Sequence, residues 1–256
     1  MVDIHSHILA GVDDGAGSLD ESVKMLRIAA RGGTTDIVAT PHANLEYSFD
    51  PDQCRRKIAE LAEAAGPQPR IHHGCDFHLS YENIQRALAE PSRFTINGRC
   101  YLLVEFPDVL IFKSTGEIFD LLMGAGMVPV VTHPERNYLL HQRLNELESW
   151  VERGCLIQVT AQSFLGRFGR QAKEFADLLV RRGLAHLVAS DAHDAEDRTP
   201  DLSGAFAYLS KKFGAEVATR LLETNPRRVL EGAPVETVSV AAAGSGRKWY
   251  RFWRSD

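Results

Sequence analysis

The stretch VDIHSHILAGVDDG carries two histidines separated by one serine and, shortly after, a pair of aspartates. Alternate side chains of a strand share a face, so His5 and His7 project together, as two imidazoles must to share one metal ion. Residues of the same type recur at intervals down the chain. TDIVATPH ends in His42, RIHHGCDF in Asp76, CYLLVEF in Glu105, MVPVVTH in His133, and HLVASDAH in Asp191 and His193. Gathered around one hollow together with Asp14, these groups would lose roughly several kcal/mol each to desolvation unless a cation paired them. The set is imidazole and carboxylate without an obvious thiolate, which suits manganese, iron or zinc and disfavours calcium. It also exceeds what one tetrahedral site can use, so at least two metals are expected. Such a cluster generates hydroxide near neutral pH and clamps both oxygens of an in-line displacement, the pattern of phosphoester hydrolysis.

Phosphate needs cationic help beyond the metals. Arg136 follows His133 by three positions in THPERN, and Arg198 follows Asp191 by seven in SDAHDAEDR. Either arginine alone reads equally well as a surface ion pair with Glu135 or Asp197. Their shared nearness to candidate ligands favours a grip on phosphate oxygens by the planar guanidinium fork.

Residues this far apart meet only if the chain brings strand ends to one rim. Seven short β-type runs (VDIH, TDIVAT, RIHHGCDF, CYLLVEF, MVPVVT, CLIQVT and HLVAS) alternate with amphipathic segments, the order of repeated βα units around a parallel sheet. Six of the seven deliver a metal-type residue at the carboxyl end, and CLIQVTAQSF offers only Gln158, Thr160 and Gln162. A closed or nearly closed barrel is the simplest architecture, since such barrels use about 250 residues as one domain and place catalytic groups at the strand carboxyl ends. Helices are expected from Ser18 to Gly33, with Glu21 completing a capping box, and from Asp50 to Gly66, with Pro51 in the first turn. Others are expected over 115–125, 142–153, 170–183 and 201–222, with a short one in NPRRVLEG.

Composition bounds the function. A net charge of −5 on 256 residues gives no overall basic surface for nucleic acid. Cys54, Cys75, Cys100 and Cys155 form no C-x-x-C pair and read as reduced, mostly core thiols. None has an arginine six positions later, which excludes the thiol phosphatases. No cleavable leader and no apolar run of roughly 20 residues is visible, so a cytoplasmic location is expected.

Taken together, DIHSHILAGVDDG, ATPH, LVEFP, THPERN and SDAH resemble the PHP (polymerase and histidinol phosphatase) superfamily. The nearest resemblance is to the metal-dependent tyrosine-protein phosphatases encoded with bacterial capsule and exopolysaccharide machinery. It runs from Val2 to about Gly232. It implies a distorted seven-stranded (β/α)7 TIM-like barrel binding two or three metals, usually manganese. It also implies removal of phosphate from the tyrosine-rich tail of a membrane-associated tyrosine autokinase. Carried over, one site would use His5, His7, Asp76 and Asp191, with Asp76 bridging to a second of Glu105 and His133. A third would use Asp14, His42 and His193. Arg136 and Arg198 would hold the phosphate for attack by metal-bound hydroxide. The bridging position is typically glutamate, and Asp76 is one methylene shorter. His73 and His78, which could make up the reach, are read as surface or core residues, and His72, His141 and His186 as structural.

The alternatives are a histidinol-phosphate-type small-molecule phosphatase and a non-catalytic regulatory PHP barrel. A metal amidohydrolase also opens with H-x-H but adds a lysine at a mid-barrel strand end, where this chain has LLVEFP. The barrel is expected over 1–232. A linker and tail, 233–256, ends in the basic and aromatic RKWYRFWRSD, suited to weak contact with an anionic membrane surface or a kinase.

Overall fold

The computed structural model describes residues 1–107 and 109–237. Its strands are β1 (Val2–Ser6), β2 (Asp36–Ala39), β3 (His42–Ala43), β4 (Arg70–His73), β5 (Asp76–His78), β6 (Tyr101–Glu105), β7 (Val128–Thr132), β8 (Leu156–Thr160) and β9 (Leu187–Ala189). All pair in parallel, as helices between the strands require.

The hydrogen-bonded ladders form two sheets, β1-β2-β4 and β3-β5-β6-β7-β8-β9, so the expected single closed sheet is not what is found among the described residues. The second and third predicted runs each break in two. Pro41, which has no N–H to give, separates β2 from β3, and Gly74 with Cys75 separates β4 from β5. The register nevertheless carries across the break, with Ala39 opposite His73 and His42 opposite Asp76. Between β9 and β1 only an isolated bridge, Ser6 to Ala192, joins the outermost strands.

Strand parity explains where the site sits. Val38, Leu103, Val130, Leu156, Leu187 and Ala189 pack in one apolar cluster with Val2 and Ile4. Their outward neighbours Ile37, Leu102, Val104, Val131, Ile157 and Val188 join a larger cluster with the helices. Two residues beyond the inner apolar positions, on the same face, come Glu105 after Leu103, Gln158 after Leu156 and Asp191 after Ala189. An apolar plug at the strand starts therefore gives way to a polar ring at the strand ends. β1 needs a correction to reach that ring. Its register against β2 shifts between Asp3 and Ser6, so consecutive Ile4 and His5 both turn inward, as a bulge allows.

The helices form largely where expected. Leu19–Arg31 begins at Ser18, whose hydroxyl accepts from Glu21 N, and Pro51–Ala65 begins at Asp50, which accepts from Asp52 N. The helix expected over 201–222 divides at Gly214, where φ is 99°, into Ser203–Phe213 and Ala215–Thr219. The helix Tyr81–Ala89, capped by Ser80, was not anticipated. No helix among the described residues is long and apolar enough to cross a membrane. Residues 233–237, the start of the expected linker, are tied to the body. Tyr101 Oη donates to Ala233 O at 2.7 Å and Arg228 to Glu236 at 2.7 Å. RKWYRFWRSD lies outside the described residues.

Candidate metal centre

Around the polar ring the candidate side chains meet. His5 and His7 bring their Nε2 atoms to 3.3 Å of each other. Asp191 Oδ1 faces both, at 3.5 Å from His5 and 3.4 Å from His7, and Asp76 Oδ2 lies 3.8 Å from His5 Nε2. On one side of this group, Asp14 Oδ1 stands 3.3 Å from His42 Nε2 and 3.5 Å from His193 Nε2. On the other, Glu105 Oε1 is 3.3 Å from His133 Nε2. His42 links the two sides, because its Nδ1 lies 3.0 Å from Asp76 Oδ2 and 3.4 Å from Glu105 Oε2 while its Nε2 faces Asp14. Every predicted ligand thus lies in one continuous cluster, although their separation in the chain reaches from position 5 to position 193.

The fit to cations can be judged from what the cluster lacks. Asp76 is completely buried, yet neither of its carboxylate oxygens makes a well-aligned hydrogen bond, the 3.0 Å approach of His42 Nδ1 to Oδ2 included. A buried carboxylate in that state is costly unless a positive charge serves it. The protons respond to the same demand. Burial pulls the His7 imidazole down, but hydrogen bonds to Asp13 and Asp191 outweigh it and hold the ring at about 9. Burial likewise opposes protonation of His42, and Asp14 with Asp76 overcomes it to hold the ring at about 11. His5 goes the other way, lowered to about 4 chiefly by burial. Among the described residues, three groupings have ligand atoms mutually within 4.8 Å: His7, Asp14, His42 and His193; His42, Asp76, His78 and Glu105; and His5, His7 and Asp76.

Surrounding residues orient the imidazoles. Asp13 Oδ2 pairs with His7 Nδ1 at 2.7 Å, and Gln158 Oε1 with His5 Nδ1 at 2.9 Å, leaving Nε2 of each ring for the centre. The closeness of the Asp14 loop to β1 depends on Gly15, where a Cβ would fall 2.0 Å from His7 O. His133 and Asp191 both have positive φ, 33° and 51°, a strained backbone for non-glycine residues that over-determined sites retain. The turn directs His133, one residue past β7, towards Glu105.

Both predicted arginines reach the centre, by a route not foreseen. Arg136 Nη1 and Arg198 Nη2, the latter at 2.7 Å, donate to Asp191 Oδ2, the oxygen turned away from the imidazoles. Arg136 also lies over the Phe168 ring, 4.4 Å from its centroid. Beside Arg136 opens a cavity of about 180 Å³ lined by His78, Glu105, Phe106, Pro107, His133 and Asn137. Glu135, the alternative partner considered for Arg136, is fully buried and instead accepts from Thr160 N and Ser163 Oγ.

Sequence reasoning set aside His78, and the structure corrects that reading. Its Nε2 contacts Glu105 Oε2 inside the cluster. Parity was the available signal, since His78 follows Asp76 by two positions on one strand. By contrast His72 pairs with Asp36, His141 meets Glu135 O and His186 accepts from Ile157 N, all away from the centre.

Known proteins share this framework. Residues 1–231 match the family described as capsular polysaccharide synthesis, CpsB/CapC. The chain is 36% identical over 227 residues to tyrosine-protein phosphatase YwqE of Bacillus subtilis, covering 87% of this chain and 89% of that protein. It is 29% identical over 242 residues to tyrosine-protein phosphatase CpsB of Streptococcus pneumoniae, covering 90% and 98%. Its fold superposes, with a TM-score of 0.86 and 34% identity over 92% of this chain and 96% of the other, on a crystal structure from work on YwqE and CpsB as unique metal-dependent tyrosine phosphatases. With a match spanning nearly all its described length, this chain belongs to the CpsB/CapC family of capsular polysaccharide synthesis.

Proposed function

We propose that this protein is a cytoplasmic, metal-dependent phosphatase that hydrolyses protein phosphotyrosine, its substrate being a bacterial tyrosine kinase linked to capsule or exopolysaccharide synthesis. The two sheets are read as a distorted seven-stranded barrel of the PHP type over 1–232. The observation that carries the reading is the fully buried, hydrogen-bond-free Asp76 at the junction of the imidazole and carboxylate groups, in a chain whose relatives are tyrosine phosphatases.

Manganese, with iron or zinc as alternatives, would be held by His5, His7, Asp14, His42, Asp76, Glu105, His133, Asp191 and His193. Such ions supply a Lewis acid for phosphoryl oxygens and lower the pKa of water. The chain does the rest. Arg136, which lines the neighbouring cavity, and Arg198, both anchored on Asp191, would orient phosphate oxygens and offset charge that builds up as the ester bond lengthens. Phe168 under Arg136 keeps that guanidinium from swinging, and Asp13 and Gln158 do the same for the His7 and His5 rings, so little reorganisation accompanies the reaction.

A macromolecular substrate is favoured over histidinol phosphate by the surroundings of the cluster. Of the eight large apolar residues that stand exposed among the described ones, seven (Leu45, Tyr81, Val109, Leu110, Phe112, Tyr138 and Leu165) lie on segments directly following β3, β5, β6, β7 and β8. Apolar groups concentrated on one rim suit residues flanking a phosphotyrosine and offer nothing to a small polar ester. The deciding assay compares turnover of a phosphotyrosine peptide and of histidinol phosphate by manganese-loaded protein, with His5→Ala and Asp191→Ala alongside. The peptide should be preferred, and both variants should lose activity and bound metal. Equal hydrolysis by the parent and both variants would refute the assignment.

A further inference from the structure

We propose that His78 is itself a metal ligand, completing with Asp76 and Glu105 a site for a divalent transition-metal ion. The inference rests on the metal-centre reading above and adds a residue to it.

Three observations converge on His78. First, β5 places Asp76 and His78 on the same face, and β6 lies alongside with His78 opposite Glu105 in register. The ligand atoms of His42, Asp76, His78 and Glu105 consequently lie within 4.8 Å of one another. Second, Glu105 has an imidazole on each oxygen, His78 Nε2 at Oε2 and His133 Nε2 at Oε1. A lone structural ion pair would use one of them. Two imidazoles flanking one carboxylate make a donor set of nitrogen and oxygen that suits manganese, iron or zinc. Third, the fully buried Asp76 carboxylate points into this group with neither oxygen in a well-aligned hydrogen bond, its near neighbour being His42 Nδ1 at 3.0 Å from Oδ2. A direct His78–Glu105 pair adds no donor to that carboxylate, whereas a cation between the three serves all of them. His42 Nδ1 stands at the edge of the group, and its Nε2 is turned towards Asp14 and His193.

The ring of His78 is not sealed off. It is 23% exposed and lines the cavity beside Arg136, so an ion held there would be open to a phosphoryl oxygen gripped by that arginine.

The experiment counts metal on the full chain. Protein stripped with EDTA is titrated with manganese chloride by calorimetry, elemental analysis gives equivalents bound, and cobalt(II) substitution reports nitrogen ligation through its visible absorption. His78→Ala and the similarly sized His78→Gln are compared with the parent and with His73→Ala, a histidine at the end of β4 and outside the cluster, and thermal melts verify folding. Both His78 variants should bind one site at least tenfold more weakly and alter the cobalt spectrum, with His73→Ala matching the parent. Full occupancy at unchanged affinity and an unchanged spectrum in the His78 variants would overturn the proposal. Full occupancy with only a displaced limb of the pH–rate profile would also overturn it, making His78 a proton donor. A parent that takes up no manganese would instead refute the metal centre as a whole.

Discussion

At the scale of single residues, position relative to Asp191 separates two kinds of contribution. Oδ1 faces His5 and His7 and Oδ2 faces the arginines, so removing an arginine should leave the imidazole side intact. Arg136→Ala is expected to retain its metal while losing about 10²–10³-fold in turnover of phosphotyrosine peptide, the scale typical of one lost transition-state donor. Parallel metal analysis and kinetics would check both halves. His186 provides a stability test remote from the chemistry. Its Nδ1 accepts from Ile157 N at 3.1 Å, and burial, with Arg220 adding to it, lowers its pKa from 6.5 to about 4. As pH falls through 6.5 the unfolded chain takes up the proton first, so stability drops until about pH 4 and levels off below it. Between pH 7 and pH 5 this one group should remove about 2 kcal/mol. His186→Asn, which keeps an acceptor for Ile157, should flatten that slope in urea denaturation, and identical slopes in the two proteins would contradict the account.

Secondary-structure elements decide how much of this could be read in advance. The clustered residues other than Asp14 were legible because each lies at or near the end of a β-type run, and ends of parallel strands converge whatever the loops between them do. The fine positioning was not. The register shift in β1 that turns His5 inward depends on its neighbour β2, and the positive φ of His133 and Asp191 is imposed by surrounding packing, so neither leaves a mark on composition. The breaks at Pro41 and Gly74 were visible as residues, but their effect required knowing which strands pair. His78 was missed because its value lies opposite Glu105 on another strand. The loop after β1 carries its own prediction. Gly15→Ala would set a methyl 2.0 Å from the carbonyl oxygen of His7, so the Asp13–Asp14 segment must move away. One metal equivalent should be lost with the fold preserved, as circular dichroism beside elemental analysis would reveal. Full metal content in that variant would disprove the tight fit.

For the molecule as a whole, the rim and the centre should separate under mutation. Replacing Val109 and Leu110 together by serine, both exposed on the segment after β6, should raise KM for a phosphotyrosine peptide severalfold and leave hydrolysis of p-nitrophenyl phosphate unchanged. Equal losses on both substrates would mean that the rim does not read the peptide. The carboxylates that converge from β1 to β9 also tie metal content to stability. Manganese at a hundredfold excess over its Kd should stabilise the fold by about 2.7 kcal/mol per site, and EDTA should lower Tm accordingly. The two-sided placement of His42 sets how such filling proceeds. A neutral imidazole has a single free lone pair, so whichever ion arrives first fixes the tautomer and dictates what the next arrival meets across the ring. An ion on the Asp14 side would leave His42 an N–H aimed at Asp76, and an ion on the Asp76 side would leave that N–H aimed at Asp14.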